Sequence, residues 1–209
     1  MSPGATAADR FLWQTPSARV RRNVGEWQTV EWPIGLRRIV PDKTTIFDQW
    51  EGHAKAARRV ALFDLDGVIA DAASRQGYIR RAEPDWKGFF LACGTDTVVP
   101  GAKALIDAVD PAMSLVLLTA RPATVRAQTE RWLAEHDIRH DVLLMRPFGD
   151  YTASTDFKRS AAAELLKHGF EIAISVEDDP RNVDMFRSLG IPCYYVHSGY
   201  YENGPALTR

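Results

Sequence analysis

Two aspartates stand two residues apart, directly after a short apolar run and just before a glycine. Residues 60–63 are apolar, and Asp64, Asp66 and Gly67 follow them. In an open α/β sheet, ligands bind at the carboxyl ends of the strands, and a glycine can adopt the positive φ that turns the backbone around a small anion. The spacing alone also fits a solvated turn or a calcium-binding loop. The motif therefore gains its meaning from partners further along the chain.

Three further polar blocks follow in chain order, and two of them end apolar strand-like runs. They supply a hydroxyl, a guanidinium, an ammonium group and adjacent acids. Hydrolysis of a phosphate ester needs a nucleophile, a proton for the leaving alcohol and positive charge around the phosphoryl group. The chain offers a candidate for each need. The blocks are Thr119-Ala120-Arg121 after residues 114–118, Lys158 within residues 156–163, and Glu177-Asp178-Asp179 after residues 172–176.

Apolar strands alternate with helical patterns from Val60 onward. This alternation predicts an α/β domain over residues 58–209, with a parallel sheet and helices on both faces. Pro100, Pro122 and Pro180 stand where a proline would begin a helix, and Gly169 and Gly190 stand where a glycine would end one. Strands are expected near residues 60–64, 114–119, 142–145, 171–177 and 192–196.

The segment between the first two of these strands, residues 71–97, is too short for a large cap domain. It predicts one or two short helices that partly cover the active site. A surface helical hairpin, with Trp86 and Phe90 packed underneath, is the alternative. The segment is rich in arginine and aromatic residues: Arg75, Arg80, Arg81, Trp86, Phe89 and Phe90.

The four polar blocks resemble, in content and order, the four motifs of the haloacid dehalogenase (HAD) superfamily of phosphohydrolases. The resemblance covers roughly residues 60–200, and within the superfamily it is greatest to the 3′-phosphatase domain of polynucleotide kinase and its stand-alone relatives. It implies a three-layer, Rossmann-like α/β fold with a five-stranded, mainly parallel sheet and a small helical cap. The stretches that carry the narrower likeness are Tyr78, residues 85–86, 143–147, 156–158 and 179–186.

The resemblance also implies catalytic roles. Asp64 would attack phosphorus and form an aspartyl-phosphate, and Asp66 would protonate the leaving oxygen and then activate water. Thr119 would donate to a phosphoryl oxygen together with backbone amides, while Lys158 would balance charge between Asp64 and the phosphate. The expected substrate-binding residues are Gly67, Ala120, Arg121, Arg80 and Arg146, and Arg121 is the one most expected to touch substrate because it follows Thr119 so closely.

A magnesium site is expected at the same place. The resemblance implies that Asp64, the backbone carbonyl of Asp66, Glu177 and Asp178 form an all-oxygen site, which suits Mg²⁺ better than zinc. Three adjacent acids at one strand end would repel one another without a cation. Because Pro180 is expected to begin a helix, Asp179 is expected to cap that helix, with Arg181 as a partner.

The preferred function is a magnesium-dependent phosphomonoesterase that acts on a nucleic-acid 3′-phosphate or a nucleotide. One alternative is a small-metabolite phosphatase or a phosphomutase-like transferase, for which a fuller cap would be expected. A second alternative is an inactive module that binds phosphate or nucleic acid. No phosphate-binding loop of the kinase type is present in the sequence, so phosphorylation from ATP is not expected.

Residues 1–57 fit the family poorly and form an extension of unknown role. Its tryptophans and arginines could bind single-stranded nucleic acid, although a strand-rich segment docked on its own domain is the more common case. The whole chain carries 26 basic and 27 acidic side chains, so no global positive charge favours long nucleic acids. We expect a soluble, cytoplasmic protein with reduced cysteines and no membrane partner. The residues concerned in the extension are Trp13, Trp27, Trp32, Arg19, Arg21, Arg22, Arg37 and Arg38.

Overall fold

The computed structural model describes residues 20–22, 27–31, 37–41, 46–51 and 57–201, and the chain divides into two compact units, Met1–Lys43 and Thr44–Arg209. The first unit contains an antiparallel sheet of three strands in the order β1-β2-β3. The predicted binding residues Trp13, Trp32 and Arg19 lie outside the described residues. The role of the extension therefore stays a prediction. The strands are β1 (Val20–Arg22), β2 (Trp27–Glu31) and β3 (Arg37–Pro41).

The second unit alternates strands and helices. Short 3₁₀ turns at residues 73–75, 92–95 and 123–125 supplement its helices. In chain order the elements are α1 (Ile46–Glu51), β4 (Arg59–Phe63), β5 (Ala70–Asp71), α2 (Gln76–Ile79), α3 (Trp86–Leu91), β6 (Thr97–Val98), α4 (Ala102–Asp107), β7 (Ser114–Pro122), α5 (Arg126–Glu135), β8 (Val142–Arg146), α6 (Ser154–Lys167), β9 (Glu171–Glu177), α7 (Pro180–Ser188) and β10 (Cys193–Tyr195).

A five-stranded parallel sheet with the order β10-β9-β4-β7-β8 forms the centre of this unit. The sheet predicted from the sequence is thus confirmed, and each strand overlaps its predicted position. Strand β4 lies in the middle, where Phe63 pairs with Leu117 of β7 on one side and with Val176 of β9 on the other. This register brings the residues that follow β4, β7 and β9 to one edge of the sheet.

Two apolar layers cover the faces of the sheet. Successive side chains of a strand point to opposite faces, and along β4 Val60 and Leu62 enter one layer while Ala61 and Phe63 enter the other. Because both faces are buried, the strands are almost continuously apolar, as is typical of parallel sheets. Helix α1 contributes Ile46 and Trp50 to the first layer. The second unit therefore begins before residue 58, where the sequence placed the domain boundary.

The predicted cap insert, residues 71–97, contains two short helices, α2 and α3, as expected. Strands β5 and β6, at the two ends of the insert, pair with each other in antiparallel fashion. Asp85 caps α3 by accepting from the backbone N–H of Gly88 at 2.8 Å. Phe89 is buried, whereas the side chain of Trp86 is 53% exposed. The hairpin alternative, in which Trp86 packs underneath the insert, is therefore wrong for this side chain.

Only some helix ends follow the expected punctuation: Pro122 is the last residue of β7, four residues before α5, and Pro100 lies two residues before α4. Pro180 is the first residue of α7, and the carboxylate of Asp179 accepts from the backbone N–H of Arg181 at 2.9 Å, which confirms the predicted cap. Gly169 and Gly190 have φ values of 79° and 75° just beyond α6 and α7. Within the described part of the chain, no helix is long and apolar enough to cross a bilayer.

Candidate active site

The first group of functional side chains lies where β4 and β9 end. One carboxylate oxygen from each of Asp64, Glu177 and Asp178 lies within 4.8 Å of the others, and all three side chains are buried. Lys158 extends from α6 into this group: its Nζ lies 2.9 Å from Asp64 Oδ1 and 2.6 Å from Glu177 Oε2. The structure therefore brings together the predicted nucleophile, the predicted charge-balancing lysine and the three side chains of the predicted metal site; the Asp66 carbonyl as a ligand stays a prediction.

The charges in this group do not balance. Burial raises the pKa of Asp64 well above its usual range, the negative charge of Glu177 raises it further, and Lys158 offsets part of the shift. For Lys158 itself, burial acts to lower the pKa, but the two neighbouring carboxylates outweigh it and the pKa is raised. Lys158 is therefore a firmly protonated ammonium group held between two acids.

Asp178 is the acid of this group that forms no ion pair among the described residues. Both of its carboxylate oxygens are buried and lack a hydrogen-bond partner among the described residues. Its pKa is raised from 3.8 to about 9, first by burial and then by the charges of Asp64 and Glu177, while the nearby Ser198 hydroxyl and Lys158 offset a smaller part of the shift. Oxygen ligands with surplus negative charge suit a hard divalent cation such as Mg²⁺. The donor set present here therefore fits the expected metal.

Glu177 has a different environment from Asp178. Its Oε2 accepts from Lys158, and its Oε1 accepts from the backbone N–H groups of Asp178 and Asp179, both at 3.2 Å. Both oxygens of Glu177 are thus already hydrogen-bonded within the protein. This arrangement favours Glu177 as the group that orients Lys158, and its predicted role as a metal ligand stays a prediction.

Gly67 lies directly against the acidic group. Its φ is 87°, and a Cβ atom at this position would lie 1.9 Å from Asp178 Oδ2. The backbone conformation and the close approach both require glycine. The Asp-x-Asp-Gly motif therefore ends in a glycine because the turn must pass beside the last acid of the site.

The second group of charged side chains surrounds Asp66. The Nη2 atoms of Arg75 and Arg121 each lie 2.5 Å from Asp66 Oδ1, and Arg121 Nε lies 2.9 Å from the same oxygen. Asp96 bridges the two arginines from the other side, with its Oδ2 at 2.8 Å from each Nη2. Burial alone would raise the pKa of Asp66, but the ion pairs to Arg121 and Arg75 outweigh it and lower the pKa.

Asp96 is the residue of this network that the sequence prediction missed, because nothing in its spacing marks it as a partner of Asp66. Arg121 was expected to touch substrate, and Arg75 belongs to the arginine-rich insert; the structure gives both of them carboxylate neighbours. Their side chains are 1% and 0% exposed, and each guanidinium pairs with both Asp66 and Asp96. A direct contact of Arg121 with substrate is therefore disfavoured by its burial, and a role in holding Asp66 is favoured.

The other predicted site residues are placed as follows. Thr119 is buried at the end of β7, and its Oγ1 accepts from the backbone N–H of Arg121 at 3.1 Å, which leaves the hydroxyl proton for donation. Ala120 is half-buried beside it. Arg80 is exposed after α2, and none of its described contacts joins it to the acids. Arg146 ends β8 and is half-buried.

The family described as the polynucleotide kinase PNKP phosphatase domain matches residues 58–201 of this chain. The chain belongs to this family. The predicted relationship to HAD phosphohydrolases of the polynucleotide kinase type is thereby confirmed, and the matched residues span the sheet, the cap insert and all four polar blocks. No curated protein matches the sequence significantly.

Solved structures with a similar fold include a chain of the Pnkp1/Rnl/Hen1 RNA repair complex, at 22% identity and a TM-score of 0.55, which aligns over 77% of this chain and 49% of its own length. A chain of a second Pnkp1/Rnl/Hen1 structure aligns at 22% identity and a TM-score of 0.54, over 80% of this chain and 55% of its own. This chain thus spans about half the length of these proteins. At such identity the matches show the α/β fold alone.

Proposed function

We propose that this phosphatase-family chain is a magnesium-dependent phosphomonoesterase that works through an aspartyl-phosphate on Asp64. The observation that supports this most is the pairing of Asp64 with Lys158 next to a buried acid, Asp178, that has no ion-pair partner and no well-formed hydrogen bond among the described residues. A structural salt bridge would not need a buried, unsatisfied carboxylate beside it, since such a group is costly. A site that receives a cation together with its substrate does need such a carboxylate, because the carboxylate binds the cation.

Asp64 is the nucleophile in this proposal. Lys158 holds Asp64 Oδ1 in place at 2.9 Å, and Glu177 holds Lys158 at 2.6 Å, so that the attacking carboxylate is oriented before substrate arrives. When bound by Asp64, Asp178 and the carbonyl of Asp66, Mg²⁺ would neutralise the repulsion between a carboxylate and a phosphate dianion. Thr119 would donate its free hydroxyl proton to a phosphoryl oxygen, together with the backbone amide at Ala120. The backbone N–H of Gly67, which the sequence also assigned to substrate binding, instead donates to the carbonyl oxygen of Ala70 at 2.8 Å.

Asp66 is the proposed general acid and base. All three of its described ion-pair contacts fall on Oδ1, which leaves Oδ2 available for proton transfer. Because the arginines lower its pKa, the resting group is a carboxylate, the form that can accept a proton from water. A phosphate dianion bound nearby raises the pKa of a neighbouring carboxyl group and so favours the protonated form that the leaving oxygen needs.

The proposed substrate is a nucleic-acid 3′-phosphate or a nucleotide. The family description names a polynucleotide kinase phosphatase domain, and the similar Pnkp1 chains occur in RNA repair complexes. The insert of residues 71–97 holds two short helices rather than a separate cap domain, which leaves room for a chain-like substrate. The alternative function is a small-metabolite phosphatase, and a direct comparison of substrates distinguishes the two.

The test is phosphate release from a panel of substrates, with Mg²⁺ and with EDTA. The panel contains 3′- and 5′-phosphorylated DNA and RNA oligonucleotides, mononucleotides and sugar phosphates. We expect release from 3′-phosphorylated ends that needs Mg²⁺ and is abolished in Asp64→Asn, whereas Asp107→Asn, an exposed acid on α4, keeps wild-type activity. Activity in Asp64→Asn would refute the aspartyl-phosphate. Preference for sugar phosphates would replace the proposed substrate, and no release at all would indicate an inactive binding module.

A further inference from the structure

Arg146 stands at the same edge of the sheet as the proposed catalytic residues, one strand outward. It is the last residue of β8, and its Cα pairs with that of Pro122 on β7. The residue before it, Met145, pairs with Thr119. The end of β8 therefore brings Arg146 close to the strand end that carries the proposed phosphate-binding hydroxyl.

The guanidinium of Arg146 lacks an anionic partner. Its Nε is buried without a hydrogen bond, and none of the ion pairs formed among residues 57–201 includes it. The guanidinium carbon lies 5.7 Å from the centre of the Phe157 ring, and Phe157 directly precedes Lys158. Burial lowers the pKa of Arg146, while the charge of Asp150 acts in the opposite direction.

The nearby acid does not satisfy this arginine. Asp150 Oδ1 accepts from the backbone N–H and the hydroxyl of Thr152, at 2.9 and 2.7 Å, and so stabilises its own loop. Arg75 and Arg121, in contrast, each bind two carboxylates of the protein. A partly buried guanidinium without a partner is costly, and an incoming oxyanion would satisfy it. Arg146 thus has the environment of a ligand-binding arginine.

The loop that follows indicates what kind of anion would bind. Residues 147–153 connect β8 to α6, and two of them, Phe148 and Tyr151, have side chains that are 65% and 75% exposed. Exposed aromatic rings stack on nucleobases, and a guanidinium binds phosphate oxygens in a forked geometry. An inorganic phosphate ion would use the arginine but not the rings.

We propose that Arg146 binds a second phosphate of the substrate, the phosphodiester that joins the terminal nucleotide to the rest of the strand, with Phe148 and Tyr151 available to stack on its bases. This inference rests on the proposed function and names the specificity-determining residue of the same site. It assigns recognition of a nucleotide chain, as distinct from hydrolysis of its end, to one arginine and one loop.

The experiment compares a nucleoside 3′,5′-bisphosphate, which carries both phosphates, with the nucleoside 3′-monophosphate, which lacks the second. The measured quantity is the ratio of kcat/KM for the two substrates. Arg146→Gln is expected to reduce this ratio about 10- to 100-fold, because charge-assisted hydrogen bonds to one phosphate are lost. Arg146→Lys is expected to restore part of it. The matched control is Arg159→Gln, an exposed arginine on α6, which leaves the ratio unchanged.

A ratio that stays the same in Arg146→Gln would overturn the proposal, and so would an equal loss on both substrates in both Arg146 variants. If Arg146 instead bound the free phosphate product, its variants would weaken inhibition by inorganic phosphate and leave the ratio intact. Calorimetric binding of both nucleotides to Asp64→Asn measures the same preference without turnover. If the protein hydrolysed none of the substrates, the proposed function would be refuted. The ratio of the two binding constants, measured by calorimetry, would still decide the role of Arg146.

Discussion

Replacing Asp178 with asparagine should stabilise the metal-free protein at neutral pH. The pKa of Asp178 is raised from 3.8 to about 9, so an aspartate that is ionised in the unfolded chain must take up a proton on folding at pH 7. Over the interval from 3.8 to 7, this costs about 4 kcal/mol. An asparagine avoids that cost but places an unpaired amide in the same site, at about 1–3 kcal/mol. The net gain at pH 7 is about 1–3 kcal/mol.

The sign of the effect should reverse in acid. At pH 4 the penalty falls to about 0.6 kcal/mol, and well below pH 3.8 it vanishes because the carboxyl group is protonated in both the folded and the unfolded chain, so the cost of the asparagine amide dominates. The variant should therefore be more stable than wild type at pH 7 and less stable at pH 4. At about 2–4 °C per kcal/mol for a protein of this size, the gain at pH 7 corresponds to roughly 2–12 °C in Tm.

The assay is thermal unfolding in EDTA at pH values from 4 to 8, followed by a titration with Mg²⁺ at pH 7. Wild type should gain about 2.7 kcal/mol when Mg²⁺ reaches a hundredfold excess over its Kd, and Asp178→Asn should gain much less. Asp179→Asn is the matched control: asparagine can keep the α7 cap, the ion pair with Arg181 is lost, and the Mg²⁺ response stays intact. A variant that is less stable than wild type at every pH, or that keeps the full response to Mg²⁺, would refute the reasoning.

Three further substitutions test the packing and charges around the site. Gly67→Ala should inactivate the protein, because its Cβ would collide with Asp178, whereas Gly101→Ala, with the same backbone strain at φ 84° and open space, should cost about 1–2 kcal/mol and keep activity. Equal effects in activity assays would contradict this. Asp96→Asn should destabilise by about 3–5 kcal/mol in denaturant unfolding, since two buried arginines lose a shared partner. Lys158→Gln should lower metal-free stability by about 3 kcal/mol, and an unchanged midpoint would argue against its buried ion pairs.

The sequence allowed the sheet and the first charged group to be predicted because both follow from local pattern. A buried parallel strand is an apolar run, and a polar residue directly after it must lie at the carboxyl edge of the sheet. This reasoning placed Asp64, Thr119 and Glu177 correctly at that edge. Lys158 needed the family pattern as well, since a lysine in a helix is otherwise indistinguishable from a surface residue.

The network around Asp66 could not be predicted in the same way. Asp96 comes from the end of the cap insert and Arg121 from the end of β7, so their contact depends on how the insert folds back over the sheet. Arginine in a phosphatase sequence suggests phosphate binding, and in the structure that inference disagrees with the burial of Arg75 and Arg121. Burial and pairing, which the sequence does not encode locally, separate an arginine that holds a carboxylate from one that awaits a ligand.

The charges at this edge of the sheet form three sets with different needs. Asp66 and Asp96 balance their two arginines and require no ligand. The acids around Lys158 leave two formal negative charges in a buried place, which a divalent cation would neutralise.

Arg146 leaves one positive charge without a partner, at the next strand end. The protein alone satisfies the first set, whereas the second and third are satisfied only by a cation and an oxyanion together. The proposed metal-dependent phosphatase, acting on a substrate with more than one phosphate, would bring both the cation and the oxyanion to this edge of the sheet.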